Sequence, residues 1–495
     1  MRAATWLIVL ALIAGSAPSL WAQDNSAESG QATDIPPLPP GLQDPPPTDS
    51  NAEIDARTST ETPPLPQGLG DTTLASKPAH SDAVNSAFDS GVHGFWEVRL
   101  GSRLRSDPDQ RSLSMAETRL QLRRDQSLGA VLLRVNADLL YDGIAETQNI
   151  DLRAGRGWLD LRQAYVSTPL GQYLDLRAGR QILTWGVGDL LFLNDLFPKD
   201  WNAFFIGRDL EYLKAPSDAI KLSAYTDAFN VDLVYTPRFD PDRFVDNSRL
   251  SFFDSRSNSV IGSSTVFEPV LPDRWFRDDE WSMRAHRVLG AWEFAGYGYR
   301  GYWKSPNGFR LAADHDMSAS LQVVFPRLHA WGASLRGPIF NGIVSMETSR
   351  YDSRDDPTGS DPLLPNDQWR FLLGYEQELV ADLTLGLQYY QERTLDYDAL
   401  LASLPDGIAA PDLRRHLLTG RINLLTHNQN VNWTLFLFAS PSDEDLYLRA
   451  SWQWQMTDRW QTGIGFNVFA GRQRNSFFGQ FTDNTNVHAS LRYGF

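Results

Sequence analysis

Arginine is the residue type with which this chain could do most of its chemistry. Lys occurs only at positions 77, 199, 214, 221 and 304, so arginine supplies the other 40 of the 45 basic residues. Many arginines alternate with apolar residues and share one strand face with Glu117, Asp138, Asp160, Asp175 and Glu376. The candidates for lining a lumen are Arg119, Arg123, Arg134, Arg162, Arg177, Arg284, Arg370, Arg421, Arg449 and Arg492. Such rows favour passage of anions through a pore, or each Arg pairs with a carboxylate on the neighbouring strand and braces the wall.

A second candidate site follows a strand that ends in a glycine-rich motif. The motif residues are Gly179, Arg180, Gln181, Trp185 and Gly186, and a long loop with many Leu and Phe residues follows them. A loop this apolar should bury itself, and the interior of a barrel offers the space. The charges at the resulting pore constriction would be Asp189, Asp195, Lys199, Asp200 and Arg208. The alternative is an apolar lid, or a contact with lipopolysaccharide or a partner.

The elements that must position these residues are amphipathic strands. Alternation of apolar and polar residues indicates strands with one face toward lipid and one toward a polar interior. Such segments begin near residues 92, 112, 129, 157, 173, 218, 228, 280, 292, 320, 341, 368, 382, 414, 431, 445, 459 and 486. Their connections alternate between short and long. The pattern predicts an all-β fold, a transmembrane antiparallel up-and-down β-barrel of about 18 strands over residues 91–495, with 16 strands as the alternative.

The last strand carries its own signal. From Asn486 to Phe495 the apolar residues fall on one face and the polar residues on the other, and the chain ends on an aromatic residue. This strand resembles the closing strand of bacterial outer-membrane barrels. Tyr493 and Phe495 would then form the signal read by the barrel-assembly machinery. The resemblance implies the outer membrane of a Gram-negative bacterium, with lipid and lipopolysaccharide as surroundings.

The amino-terminal region differs from the barrel. Residues 1–22 have the charged start, short apolar core and small-residue site of a signal peptide. Residues 23–90 are rich in Pro and Asp and poor in aromatics, which predicts a disordered periplasmic tail. A short motif repeats at residues 36–44 and 63–71. The tail is either a linker or a pair of docking peptides for a periplasmic partner.

Composition excludes several functions. The formal net charge of −16 and the absence of a basic patch argue against nucleic acid. The eight His residues form no paired metal-binding spacing, and there is no Cys. We therefore expect no enzyme activity, no metal and no cofactor.

The Gly179–Asp189 segment and the final strand resemble porin-like outer-membrane barrels of proteobacteria, of the alginate-export-like and related poorly characterised kind. The resemblance implies passage of a solute or polymer. Two functions remain open: an outer-membrane channel for small, anion-biased solutes through a loop-narrowed lumen, or a scaffold barrel that anchors a partner through its lumen or its Pro-rich tail.

Overall fold

The structure is a computed structural model that describes residues 91–254, 257–265, 267–312, 320–406, 408 and 410–495. The predicted signal peptide (1–22), the tail (23–90) and the repeats at 36–44 and 63–71 lie outside the described residues.

Eighteen strands form one antiparallel sheet in which each strand pairs with its neighbours along the chain. The barrel strands are β1 (Val92–Arg103), β2 (Leu113–Leu128), β3 (Val131–Asp142), β4 (Leu159–Pro169), β5 (Leu174–Ile182), β6 (Pro216–Tyr225), β7 (Asn230–Thr236), β10 (Glu280–Leu289), β11 (Trp292–Tyr302), β14 (Arg327–Ile339), β15 (Gly342–Ser353), β16 (Gln368–Val380), β17 (Leu383–Thr394), β18 (Arg414–Thr426), β19 (Val431–Ser440), β20 (Asp445–Gln455), β21 (Trp460–Gly471) and β22 (Asn486–Gly494). Two hairpins lie in long connections: β8 (Phe252–Asp254) with β9 (Ser259–Ile261), and β12 (Gly308–Ala312) with β13 (Ser320–Val324).

The sheet closes on itself where β1 pairs with β22, in a register that runs from Phe95 opposite Gly494 to Arg103 opposite Asn486. The final residue takes part, because the backbone N–H of Phe495 donates to Gly94 and that of Gly94 donates to Phe495, each at 3.0 Å. Closure leaves no unpaired sheet edge. The predicted 18-stranded antiparallel barrel is therefore confirmed.

One predicted strand start was wrong. The strand expected near residue 320 begins at Arg327, and residues 320–324 instead pair with Gly308–Ala312 in the small hairpin. Pro326 separates the two elements, and proline cannot donate to a strand ladder. Apolar residues alternate with polar ones on both sides of this proline, so the sequence pattern resembles that of a single strand.

The barrel has one end with tight turns, here called the turn end, and one with long connections, here called the loop end. Turns of a few residues join β2 to β3, β10 to β11, β14 to β15 and β16 to β17. At the opposite end the connections over 183–215 and 237–279 are much longer. Alternation of short and long connections is typical of outer-membrane barrels.

The outer surface of the barrel is apolar. Outward side chains include Leu100, Trp331, Leu387 and Phe466, which are 57%, 58%, 53% and 43% exposed. At the turn end, the Trp460 and Tyr493 rings lie 5.0 Å apart, and Trp433 is among the exposed aromatics. In water this surface would be a large uncovered patch, whereas in a bilayer it faces lipid with an aromatic girdle at one boundary. None of the described helices is long and apolar enough to cross a bilayer.

Candidate functional site

Residues 183–215, here called the inner segment, connect β5 to β6 and fold into the barrel. They contain a short helix, Trp201–Ile206, and a 3-10 turn, Leu210–Leu213. Leu193, Phe204 and Phe205 are each at most 3% exposed, although they belong to a connection between strands. The prediction that this loop buries itself in the lumen is confirmed.

The glycine-rich motif marks the place where the chain leaves the wall. Gly186 has a φ of 83°, and a Cβ there would lie 3.0 Å from the Glu347 carboxylate. That carboxylate accepts hydrogen bonds from the backbone N–H of Val187 at 2.9 Å and of Asn194 at 2.8 Å. A left-handed conformation beside a close carboxylate suits only glycine. Glu347, on β15, therefore holds the turn that sends the segment inward.

The other motif residues fasten the end of β5. Arg180 donates to the Asp218 carboxylate at 3.0 Å, and Gln181, fully buried, donates to the backbone carbonyl of Ala219 at 2.9 Å. Trp185 packs edge-on against Phe197 with ring centroids 4.8 Å apart. Gly179 sits against the β4 backbone, where an added Cβ would lie 2.4 Å from the carbonyl of Ala164. The motif is thus a structural junction between strand and inner segment.

An aromatic cluster fixes the short helix to the far wall. The Phe205 ring lies 5.6 Å from Tyr447 on β20 and 5.5 Å from Phe469 on β21, and those two wall rings stack at 4.7 Å. Each of these side chains is at most 2% exposed. Asp200 starts the helix by accepting from the backbone N–H of Ala203 at 2.7 Å. Burial of each of these three rings contributes about 1.5 kcal/mol or more, so the cluster stabilises the segment by several kcal/mol.

Charged anchors attach the following residues to the strands at the barrel closure. Arg208 donates to both oxygens of Glu117 on β2, at 3.0 and 2.6 Å. Asp209 accepts from Arg99 on β1 at 2.8 Å and from Arg492 on β22 at 2.5 Å. Burial alone would raise the pKa of Asp209, but these two guanidinium groups outweigh it and hold the pKa well below its usual range. Asp209 therefore stays ionised and joins both strands of the closure.

The long connection over 237–279 adds a second layer. Arg243 donates to Asp160 on β4 at 2.7 Å and to Asp200 of the inner segment at 3.2 Å. Asp242 accepts from the backbone N–H of Lys199 at 2.8 Å and from the Trp201 indole at 3.0 Å. Burial raises the pKa of Asp242. The two loops therefore hold each other inside the lumen.

The predicted constriction charges do not form one cluster. Asp195 and Lys199 lie together, with 3.0 Å between carboxylate and ammonium, and both are buried. Asp189 lies elsewhere, 3.0 Å from Arg421 on β18, and burial raises its pKa to about 6. Asp200 caps the short helix and Arg208 pairs with Glu117, as described above. Their part in a constriction stays a prediction.

The predicted lumen arginines all have partners inside the barrel. Carboxylates pair with Arg119, Arg123, Arg134, Arg284, Arg370, Arg421 and Arg492. Arg162 and Arg449 donate to backbone carbonyls of the inner segment, and the Arg177 guanidinium lies 4.7 Å from the centre of the Tyr165 ring. These contacts brace the wall, and the effect of the arginines on ion selectivity stays a prediction.

Sequence reasoning missed several of the residues that hold the segment. Glu347, Arg243 and Asp209 each connect elements far apart in the chain. The inward position of a carboxylate on a strand was a usable signal for Glu347. Residue spacing could not predict that its partners would lie in the inner segment.

Fold and site define a class of protein: a closed transmembrane β-barrel whose polar lumen is crossed by an infolded loop. The chain belongs to the family described as "Protein of unknown function (DUF1302)", whose model matches residues 104–407. None of the curated proteins compared with the chain matches it.

Several solved structures resemble the chain at low sequence identity. They include OccK3 (OpdO) of Pseudomonas aeruginosa (TM-score 0.47, 10% identity, 82% of this chain and 96% of that chain). OccAB4 of Acinetobacter baumannii matches with a TM-score of 0.47 and 9% identity over 82% of this chain and 97% of that chain. A loop-deletion mutant of OmpT, described as an outer membrane protein of Vibrio cholerae, also resembles the chain. Its TM-score is 0.37 at 10% identity, over 82% of this chain and 99% of that chain.

Proposed function

We propose that this protein is an outer-membrane channel through which small solutes diffuse past the inner segment. The observation that carries the proposal is the segment itself, which reaches from β5 to Glu347 on β15 and on to Glu117 on β2. A loop anchored on opposite walls narrows a lumen that 18 strands would otherwise leave wide. An apolar outer face and a charged interior are the surfaces that a water-filled pore in a bilayer requires.

The proposal includes a preference of the pore for anions. Toward the turn end, Arg123 and Arg134 share the single carboxylate of Asp125, at 2.9 and 2.7 Å. Their side chains are 30% and 20% exposed, so the two guanidinium groups reach the lumen with one negative charge between them. Arg177 adds a guanidinium that lies on the Tyr165 ring, whereas Lys221, opposite it in the strand register, pairs with Asp232 at 3.1 Å. An excess of positive charge in a pore favours anions.

We extend the proposal to the location and orientation of the barrel. The barrel lies in the outer membrane of a Gram-negative bacterium, in lipid and lipopolysaccharide, after insertion by the barrel-assembly machinery that reads Tyr493 and Phe495. The turn end faces the periplasm together with the tail of residues 23–90, whose repeats are offered to a periplasmic partner. The resemblance to alginate-export-like barrels stays a prediction about the family.

Single-channel conductance of the refolded barrel in a planar bilayer tests the proposal. We expect steady current, and a reversal potential in a KCl gradient whose sign shows that chloride passes more readily. Arg123→Gln combined with Arg134→Gln should reduce that preference, whereas Arg472→Gln, on an exposed side chain, should leave it unchanged. A folded barrel that carries no current would overturn the channel function.

A further inference from the structure

The outer wall of the barrel carries basic residues side by side at its loop end. Arg327, His329 and Trp331 alternate along β14 and therefore share its outer face. Arg300 on β11 lies opposite His329 in the strand register. The backbone N–H of Arg354, just after β15, donates to the carbonyl of Arg327 at 2.9 Å. Three neighbouring strands thus bring these basic residues, here called the basic cluster, to one place.

The basic cluster belongs to the wall of an open concavity of about 1120 Å³. Six arginines contribute to this wall: Arg274, Arg277, Arg300, Arg310, Arg327 and Arg354. Within the described part of the chain, only Arg274 and Arg327 of these six make ion pairs. One exposed arginine is ordinary, whereas like charges on adjacent strand positions repel and destabilise the sheet. A bound anion would offset that repulsion.

The concavity also holds four aspartates, and each of them already has a partner. Three make ion pairs with arginines, at closest distances of 2.7 to 2.9 Å. The fourth accepts a hydrogen bond from the Trp281 indole at 3.2 Å. They are Asp273, Asp278, Asp355 and Asp279, in that order. Six arginines against four aspartates leave the wall with an excess of positive charge.

Below the basic cluster, toward the middle of the bilayer, the outer wall has a shallow strip, here called the outer groove. Gly298 and Gly296 precede Arg300 on the same face of β11. A Cβ at either glycine would meet no heavy atom outside the adjoining residues within 4 Å. Ala285 and Ala333, opposite Gly296 on the neighbouring strands, are also small. The outer groove therefore has room for an extended hydrocarbon chain.

Aromatic side chains place the basic cluster at the depth of lipid headgroups. Trp281, opposite Arg300, and Trp331, opposite Gly298, are 38% and 58% exposed on the outer face. Tryptophan collects where headgroups meet hydrocarbon. A phosphate monoester there carries nearly two negative charges near neutral pH, and guanidinium groups bind phosphate through paired hydrogen bonds. The basic cluster and the outer groove are therefore complementary to a phosphorylated lipid.

We propose that the basic cluster and the outer groove bind one molecule of lipopolysaccharide from the outer leaflet. A phosphate of its lipid A part accepts from Arg300 and Arg354, and one acyl chain lies along Gly298 and Gly296 beside Trp331. This site goes beyond the channel function. It rests on the proposed orientation, in which the loop end faces out of the cell.

Native mass spectrometry of the full-length protein released from detergent counts the bound lipid. The probe is hexa-acylated lipid A with two phosphates, and phosphatidylglycerol is the comparison lipid. The wild type should retain one lipid A and bind it several-fold more tightly than phosphatidylglycerol. Arg300→Gln combined with Arg354→Gln should weaken binding of lipid A about tenfold or more, because two charges that face the headgroup are lost. Gly298→Phe should weaken it several-fold by filling the outer groove.

Matched variants separate the site from general effects of substitution. Arg472→Gln combined with Arg474→Gln removes two positive charges at exposed positions elsewhere at the loop end. Gly420→Phe places the same ring on the outer face of β18. Both proteins should bind lipid A like the wild type. Equal binding of lipid A by the wild type and by the Arg300 and Arg354 double variant, with both folded, would overturn the site. Equal binding of lipid A and phosphatidylglycerol by the wild type would do so too.

Two other occupants would give different results, and either result would overturn the proposal. Displacement of lipid A by inorganic phosphate would show that the arginines hold a free anion and that the outer groove has no part. A dimer or trimer that Gly298→Phe converts to a monomer would assign the outer groove to a second copy of the chain.

Conductance in a bilayer without lipid A keeps this site apart from the channel function. The Arg300 and Arg354 double variant should conduct like the wild type, because both side chains lie outside the lumen. A barrel that conducts but binds no lipid A retains the channel function and loses this site. A barrel that binds lipid A through these arginines but carries no current retains the site and loses the channel function.

Discussion

At the scale of single residues, the inner segment is held by carboxylates that each serve more than one partner. Glu347 accepts from three backbone N–H groups and from the Asn194 amide. Asp209 joins Arg99 and Arg492. Each is a charge removed from water, and such a charge is tolerated only when it is fully hydrogen-bonded. Substitution of one of them therefore removes several hydrogen bonds at once.

Replacement of Asp209 by Asn should destabilise the barrel. The variant keeps the shape of the side chain but removes the negative charge between two guanidinium groups, which then share the Glu97 carboxylate alone at hydrogen-bond distance, at a cost of about 1–3 kcal/mol. The measurement is the temperature at which the folded band converts to the unfolded band in gel electrophoresis. Asp355→Asn, which breaks an exposed pair with Arg327, serves as the control. An unchanged conversion temperature for Asp209→Asn would contradict the bridging role.

Asp189 should make stability depend on pH. Burial is the main reason that its pKa is raised to about 6; Arg421 opposes the shift and Glu376 adds to it. Between pH ~4, where an unfolded Asp titrates, and pH 6, the folded chain keeps a proton that the unfolded chain releases. The Asp189 contribution to the free energy of unfolding therefore falls as pH rises through this window.

Urea titrations of the barrel in detergent at pH 4, 5, 6 and 7 measure this effect. Asp189→Asn cannot release the proton, so its free energy of unfolding should decline less over the window than that of the wild type. If the free energies of unfolding of the two proteins change in parallel with pH, Asp189 does not titrate near pH 6.

At the scale of elements, the sequence predicted the strands but not the long-range contacts that loops make with them. Strict alternation placed the starts of β1, β10 and β22 at the residues where the structure has them. The Leu and Phe content of residues 190–205 was enough to predict an infolded loop. The attachment of Arg208 to Glu117 could not be predicted, because it depends on where a flexible loop lands on a wall whose curvature the sequence does not state.

The inward and outward faces of β20 can be tested by substitution. Leu448 lies on the outer face, so Leu448→Arg should cost about 2–4 kcal/mol near the middle of the bilayer. Ser451 faces the lumen on the same strand, and Ser451→Arg should fold with a much smaller loss. Reversible unfolding from lipid vesicles gives both values. Similar costs at the two positions would contradict the assignment of faces.

Removal of the inner segment should widen the pore. Replacement of residues 189–207 by a short Gly-Ser linker takes away the aromatic cluster and the helix, so single-channel conductance should rise several-fold. The matched control replaces residues 309–323 in the hairpin connection, which should change conductance far less. Unchanged conductance in a folded segment-deletion variant would show that the segment does not limit flow.

At the scale of the whole molecule, the chain joins two polymers of different character. The net charge is −16, and about −9 of it falls between residues 24 and 89, where acids outnumber bases. With Arg2 counted separately, residues 91–495 carry the remaining charge of about −8 over roughly six times the length of the tail. The density of negative charge is therefore much higher in the tail than in the barrel.

A chain lacking residues 23–90 should conduct like the full-length protein. Every lumen contact described here lies within residues 91–495, so the barrel should fold and carry current without the tail. Conductance and ion preference of the two forms are compared in the same bilayer. A loss of current on truncation would assign the tail a part in the pore.

The bridge made by Asp209 also bears on how the barrel is built. The first and last strands are synthesised far apart in time, and they meet only when the cylinder is complete. In the finished barrel, a carboxylate from the middle of the chain contacts both β1 and β22. Opening the seam toward lipid would therefore break these ion pairs as well as the hydrogen bonds between the two strands.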